Sequence, residues 1–228
     1  VLLSLETSSS ICSVALHDVA DGRLIGQSEL RLEKSHSTYL TVLIEQLLAN
    51  TSHALVDIVA VAVSDGPGSY TGLRIGAAVA KGLCFALDIP LVSVSTLGAL
   101  AAQVVAVTAR AEEMLFCPML DARRMEVYTA LYTQDGQEVL APVPLILAPG
   151  ALAEQLAHRQ VLCFGNGAVK FRPLVAKQAN IGFLTGIEPS AVAVGALGVG
   201  VFRRQEFQDV AYYEPFYLKE VYTTTPRT

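Results

Sequence analysis

The chain has 228 residues, 16 Lys and Arg against 21 Asp and Glu, and a formal net charge of -5, which allows one large domain or two small lobes and argues against stand-alone nucleic-acid binding, where Lys and Arg must displace counterions from phosphates. It is 52% hydrophobic and 16% charged, so either the core is large or some apolar surface meets a partner. The longest apolar runs, 97–109 and 191–202, fall short of the roughly 18 residues a bilayer span needs, and VLLSLETSSS lacks a basic leader, so a cytoplasmic location without membrane contact is expected.

The chain opens with a predicted strand ending in Glu6, a TSSS turn, a second strand ICSVALHD and, after an Asp21-Gly22 turn, a third. A helix is predicted over 35–50, with Leu40, Leu43 and Leu47 as its apolar stripe. A parallel-type strand (58–65), a glycine-rich turn, a helix (about 71–87), a strand (90–95) and a helix from Thr96 to Ala109 come next. From Leu115 the order recurs: LFCPMLD ends in Asp121, ARR follows, then MEVYTALYT, a turn at Asp135, a helix in PGALAEQLAH, the strand QVLCFG and a helix from Gly167 to Lys177.

Each half therefore reads β-β-β-α-β-α, an internal duplication with lobes at 1–109 and 110–228. A late helix, Pro189 to Arg204, and the tail have room to pack back on the first lobe. Two such lobes resemble the α/β architecture of actin, sugar kinases and Hsp70, the ASKHA fold, in which acid-bearing turns face each other across an ATP cleft.

The glycine-rich stretch DGPGSYTGLRIG (65–76) invites a phosphate-binding reading. A Walker A loop would need lysine where Leu73 stands, and Gly66, Gly68 and Gly72 carry one residue too many for G-x-G-x-x-G. A strand-turn-helix junction still exposes helix N–H groups to an anion, so Glu6, Thr7, Ser8, Gly66, Gly68, Ser69 and Asp121 are the candidates for residual nucleotide binding. The competing reading is structural: Gly66 and Gly68 supply unusual backbone angles and Ser69 or Thr71 caps the helix. Gly72, Gly76 and Ala80 line one helix face, which suits close packing inside the lobe or against another chain.

Cys12, Cys84, Cys117 and Cys163 are widely spaced in apolar segments and read as reduced core thiols. Among His17, His36, His53 and His158 no two are four apart, so no helical two-His metal site is expected. His36, at a helix start, suits capping or an interface. Arg123 and Arg124 could meet phosphate or an acidic partner.

The block 64–101, SDGPGSYTGLRIGAAVAKGLCFALDIPLVSVSTLGALA, is similar to the signature of the TsaB (YeaZ) family, the small actin-like subunit of the bacterial machinery that makes threonylcarbamoyladenosine in tRNA. The HS pair at 36–37, DARRMEVY (121–128) and YEPFYLK (213–219) agree with it too. Glu6 departs from the family's usual Asp-Thr, and Thr38 from its common Glu. The resemblance implies a non-catalytic scaffold for a larger TsaD-type paralogue, with a TsaE-type ATPase in the assembly and a homodimer when alone. It also implies tRNA contact only through the complex, no tightly bound cofactor, and ATP used by the assembled machinery. The expected interface is His36, Leu40, Leu43, Leu47, Gly72, Leu73, Gly76 and Ala80, with Gly76→Arg blocking the partner but not folding. The rivals are a stand-alone actin-like ATPase or small-molecule kinase, and a glycoprotease-like peptidase.

Overall fold

The computed structural model describes every residue except 33, 110, 153–155, 158 and 220–228. Two five-stranded mixed sheets account for the duplicated pattern. The first contains β1 (Leu2–Glu6), β2 (Cys12–His17), β3 (Leu24–Leu30), β4 (Ala60–Gly66) and β5 (Leu91–Ser95) in the order β3-β2-β1-β4-β5. The second contains β6 (Met114–Asp121), β7 (Glu126–Tyr132), β8 (Glu138–Ile146), β9 (Gln160–Phe164) and β10 (Ile181–Phe183) in the order β8-β7-β6-β9-β10. In each, three strands meander antiparallel and two more add in parallel.

β1, LLSLE, is buried along its whole length because both faces of its sheet are covered, the condition under which strands become continuously apolar. On one face α1 (His36–Asn50) and α2 (Tyr70–Leu87) pack through Leu40, Leu43, Leu47, Ala77 and Ala80 onto Leu3, Leu5, Val61 and Val63. On the other, α5 (Ala191–Arg203) packs through Ala193, Val194 and Val199 onto Leu2, Ala60, Ala62 and Val92. The late helix thus returns to the first lobe. α3 (Thr96–Val105) forms the seam, its Leu97, Leu100 and Val104 buried among Phe116, Leu120, Ala130 and Phe164 of the second sheet.

Two predicted helices differ in the structure. α3 ends at Val105 rather than Ala109. The helix predicted from Gly167 is only α4 (Ala168–Phe171), followed by a 3-10 turn over Arg172–Val175, because Pro173 has no N–H to continue an α-helical ladder. Of the helix predicted in 149–158, residues 153–155 and 158 lie outside the described residues.

The tail runs back over the first lobe as a strap. Tyr213 is buried in the α1–α2 core, Lys81 Nζ donates to the carbonyls of Ala211 (3.1 Å) and Tyr213 (3.0 Å), and Phe216 N donates to Asp65 O (2.7 Å). Tyr217 packs against Tyr70 with ring centroids 4.9 Å apart and planes tilted by 46°, and Lys219 reaches Glu126 of the second sheet.

Candidate functional site

A cleft of about 1280 Å³ opens between the lobes. Ser8 to Ser10, His36 and the start of α2 line the first-lobe side; Asp121 to Arg124, Glu126, Tyr128 and Asn166 line the second; Phe216 to Lys219 border it.

The first acid-bearing turn is closed in on itself. Glu6 is fully buried, and its Oε1 accepts the Ser8 N–H at 2.5 Å. Its Oε2, with the hydroxyls of Thr7, Ser8 and Ser64, is enclosed without a hydrogen-bond partner among the described residues. Burial, opposed by the bonding from Ser8, pushes the Glu6 carboxyl above the ordinary carboxylate range.

The glycines explain that closure. A Cβ at Gly68 would lie 2.4 Å from Ser8 O, at Gly72 2.0 Å from Thr7 O, and at Gly76 2.3 Å from Thr7 Oγ1. Gly66, at φ 117, lies under the tail, where a Cβ would meet Phe216 O at 2.5 Å. The Ser69 N–H, which an anion at the start of α2 would use, donates to Ser8 O at 2.6 Å, and Ser69 Oγ accepts from Gly72 N at 3.3 Å. The chain's own turn therefore takes up the Ser69 N–H, and Glu6, Thr7 and Gly66 do not line the cleft. Ser8, Gly68 and Ser69 reach the cleft wall.

The second lobe carries the same device. Gly165 (φ 92) and Gly167 follow β9 as Gly66 and Gly68 follow the core of β4. A Cβ on Gly165 would meet Met119 O at 2.4 Å, and on Gly167 Leu120 C at 2.9 Å. Gly-x-Gly is thus part of the repeat, seating each acid-bearing hairpin against the element after it. The pair GNG at 165–167 was available in the sequence as a match to GPG at 66–68.

Asp121 is placed differently from Glu6. Its side chain is 41% exposed and bonded to Lys170 Nζ at 2.6 Å, so it is committed to a cation of its own chain. Asp65, half-buried near the end of β4, is pushed up to about 6 by desolvation.

The expected interface residues require a correction. Leu40, Leu43, Leu47, Leu73 and Ala80 are no more than 4% exposed, His36 is 8% exposed, and Gly72 and Gly76 are buried. They join α1 and α2 to the sheet, which is the within-lobe alternative for the glycine face. His36 Nε2 donates to Ile11 O at 3.1 Å, tying α1 to β2. Gly76→Arg would therefore disrupt the fold instead of sparing it.

The outward faces of the same two helices carry Tyr39 and Val42 on α1, and Ala78, Gly82 and Phe85 on α2; Phe85 is 84% exposed. The apolar stripes drew attention to the buried faces, since a single Phe at the end of an alanine-rich run has no periodic signature.

All four cysteines are free and buried, as expected of core thiols. Among the described residues no group of three His, Cys, Asp or Glu side chains could hold a metal, and no helix is long and apolar enough to cross a membrane.

A family model for TsaD, tRNA N6-adenosine threonylcarbamoyltransferase, matches residues 30–213. The tRNA threonylcarbamoyladenosine biosynthesis protein TsaB of Bacillus subtilis is 30% identical over 225 residues, 96% of this chain and 93% of that protein. The structure of YeaZ from Pseudomonas aeruginosa superposes with a TM-score of 0.77 at 31% identity, over 95% of this chain and 99% of that one. The activator of 2-hydroxyisocaproyl-CoA dehydratase from Clostridium difficile, solved with ADPNP, shares the fold alone (TM-score 0.55, 10% identity, 90% of this chain and 95% of that one). The architecture is the two-lobed, actin-like ASKHA fold.

Proposed function

The chain belongs to the TsaB family, and we propose that it acts in threonylcarbamoyladenosine synthesis on tRNA as a non-catalytic subunit that binds and supports a larger TsaD-type paralogue. The observation that carries this reading is the outward face of α1 and α2, where Tyr39, Val42, Ala78, Gly82 and Phe85 stand exposed on helices whose inner faces are fully used by the lobe. Isolated exposed apolar residues need no explanation, but a set gathered on two adjacent helices suits a partner. Small residues at Ala78 and Gly82 let a second helix approach closely, and Phe85 supplies the aromatic anchor that commonly dominates a contact.

The absence of a catalytic role rests on how the chemistry-bearing groups are spent. Glu6 is sealed, Asp121 is paired with Lys170, and His36 is bonded to a backbone carbonyl. ATP, the TsaE-type ATPase and tRNA then belong to the assembled machine, with tRNA reached through the partner. A homodimer through the same outward face is the expected state of the isolated chain.

The test is Phe85→Asp, with the TsaD-type protein of the same organism as partner. Co-elution on gel filtration is expected to be lost while the circular dichroism spectrum and Tm stay those of the parent. A complex that survives the substitution overturns the assignment of this face.

A further inference from the structure

The second-lobe wall of the cleft carries a surface with no role so far. The turn joining β6 to β7 places Arg123 at φ 68 and Arg124 at φ 48. Both residues stand in the left-handed region, which glycine adopts without a Cβ clash and asparagine with local bonding, and which a long side chain seldom occupies. Arginine at both positions is strained, and strain kept in a folded chain points toward function.

The turn is firmly held in spite of that strain. Asp121 Oδ1 accepts from Arg123 N (2.6 Å) and from Lys170 Nζ (2.6 Å), Lys170 Nζ also donates to Arg124 O (2.6 Å), and Asn166 Oδ1 accepts from Asp121 N (2.8 Å). One cation of the neighbourhood is thus used to fix the backbone. Neither Arg123 nor Arg124 makes an ion pair among the described residues. Beside them, Pro144 and Ile146 lie directly across β7 from Tyr128 and Glu126, so their side chains share the face that lines the cleft. Ile146 is 72% exposed, and Phe216 on the strap is 50% exposed.

We propose that this wall is a docking site for an acidic, extended segment of a partner protein. Its carboxylates pair with Arg123 and Arg124, and its apolar side chains lie along Pro144 and Ile146. A guanidinium fork matches a carboxylate in two parallel hydrogen bonds, and the apolar strip beside it suits a peptide better than a sugar-phosphate chain. Asp121 and Glu126 on the same wall are paired with Lys170 and Lys219, which leaves the two guanidinium groups to set the charge a ligand meets there. The site does not depend on the outward face of α1 and α2, so either can fail alone.

The experiment places a photoreactive benzoylphenylalanine at Ile146 in the full chain, irradiates living cells and maps the linked product by mass spectrometry. A linked segment rich in Asp and Glu is expected. A synthetic peptide of that segment should then bind at least about tenfold more weakly to Arg123→Glu/Arg124→Glu, with Lys placed at the peptide's acidic positions restoring affinity. A second variant, Arg123→Asn/Arg124→Gly, should raise Tm by relieving the turn while also losing the peptide. Linkage to RNA, to a non-acidic segment or to nothing overturns the proposal, as does unchanged peptide affinity in the charge-reversed variant. A Tm that falls in the Asn-Gly variant overturns it as well, because the arginines would then serve the turn itself.

Discussion

Glu6 and Asp121 hold the same place in the two copies of the repeat, each ending the first strand of its sheet, yet one is fully buried and the other has a side chain 41% exposed. The difference comes from the helix after the Gly-x-Gly element in each lobe. In the first, the 18-residue α2 continues the close approach through Gly72 and Gly76 and seals the turn. In the second, α4 stops after four residues at Phe171, and the hairpin stays at the cleft surface with its arginines outward. Duplication has copied the backbone plan, and the length of one helix has decided which acid is structural.

The comparison breaks most visibly at Gly72. A Cβ there would stand 2.0 Å from the Thr7 carbonyl oxygen, and neither backbone can yield without moving a strand or a helix. Gly72→Ala is expected to cost about 3 kcal/mol or more, read as a lower urea midpoint or as loss of soluble protein. A parental midpoint would mean that α2 is not seated on the first turn.

Glu6→Gln sharpens the contrast through pH. Burial raises the folded-state pKa of Glu6, so its contribution to stability is complete below the unfolded value of about 4.3 and is lost as pH rises through the folded value. Glutamine keeps the acceptor for Ser8 N and cannot ionise. The Tm of Glu6→Gln relative to the parent should therefore climb between pH 4 and the neutral range, as Glu6 alone becomes charged in the unfolded state. A gap that stays flat with pH would show that the sealed turn does not perturb the acid.

Much of this arrangement was legible in the sequence. The β-β-β-α-β-α repeat, the two acids and the two hairpins can be read from apolar periodicity and turn residues, which report local backbone state. The partners of the glycines were not legible, since Gly68 and Gly72 meet Ser8 and Thr7 across some 60 residues of chain, and close approach leaves no pattern in a single sequence. For the same reason the apolar positions Leu40, Leu43 and Leu47 identified α1 as amphipathic but not what its apolar stripe faced. The stripe faces the sheet, and the surface available to a partner is the reverse side. The strained Arg123–Arg124 pair was visible as charge, whereas its positive φ values required the structure.

Gly82 gives the smallest expected effect and bears on the reverse side of α2. Unlike Gly72 it has nothing within 4 Å of where a Cβ would stand, so the lobe gains no packing from it. An interior helical glycine is nevertheless less stable than alanine by about 1 kcal/mol, and Gly82→Ala is expected to raise the stability of the isolated chain by roughly 0.5–1 kcal/mol, checked by urea titration of a sample kept dilute enough to be monomeric. If the glycine is retained for close approach by a helix of the TsaD-type partner, the same methyl group should weaken that complex in calorimetry. A variant that gains stability and binds its partner unchanged would leave Phe85 as the contact and Gly82 as an exposed position without a role. One that gains stability and loses affinity would show that the glycines of α2 serve opposite sides of one helix, Gly72 and Gly76 toward the turn and Gly82 toward another chain.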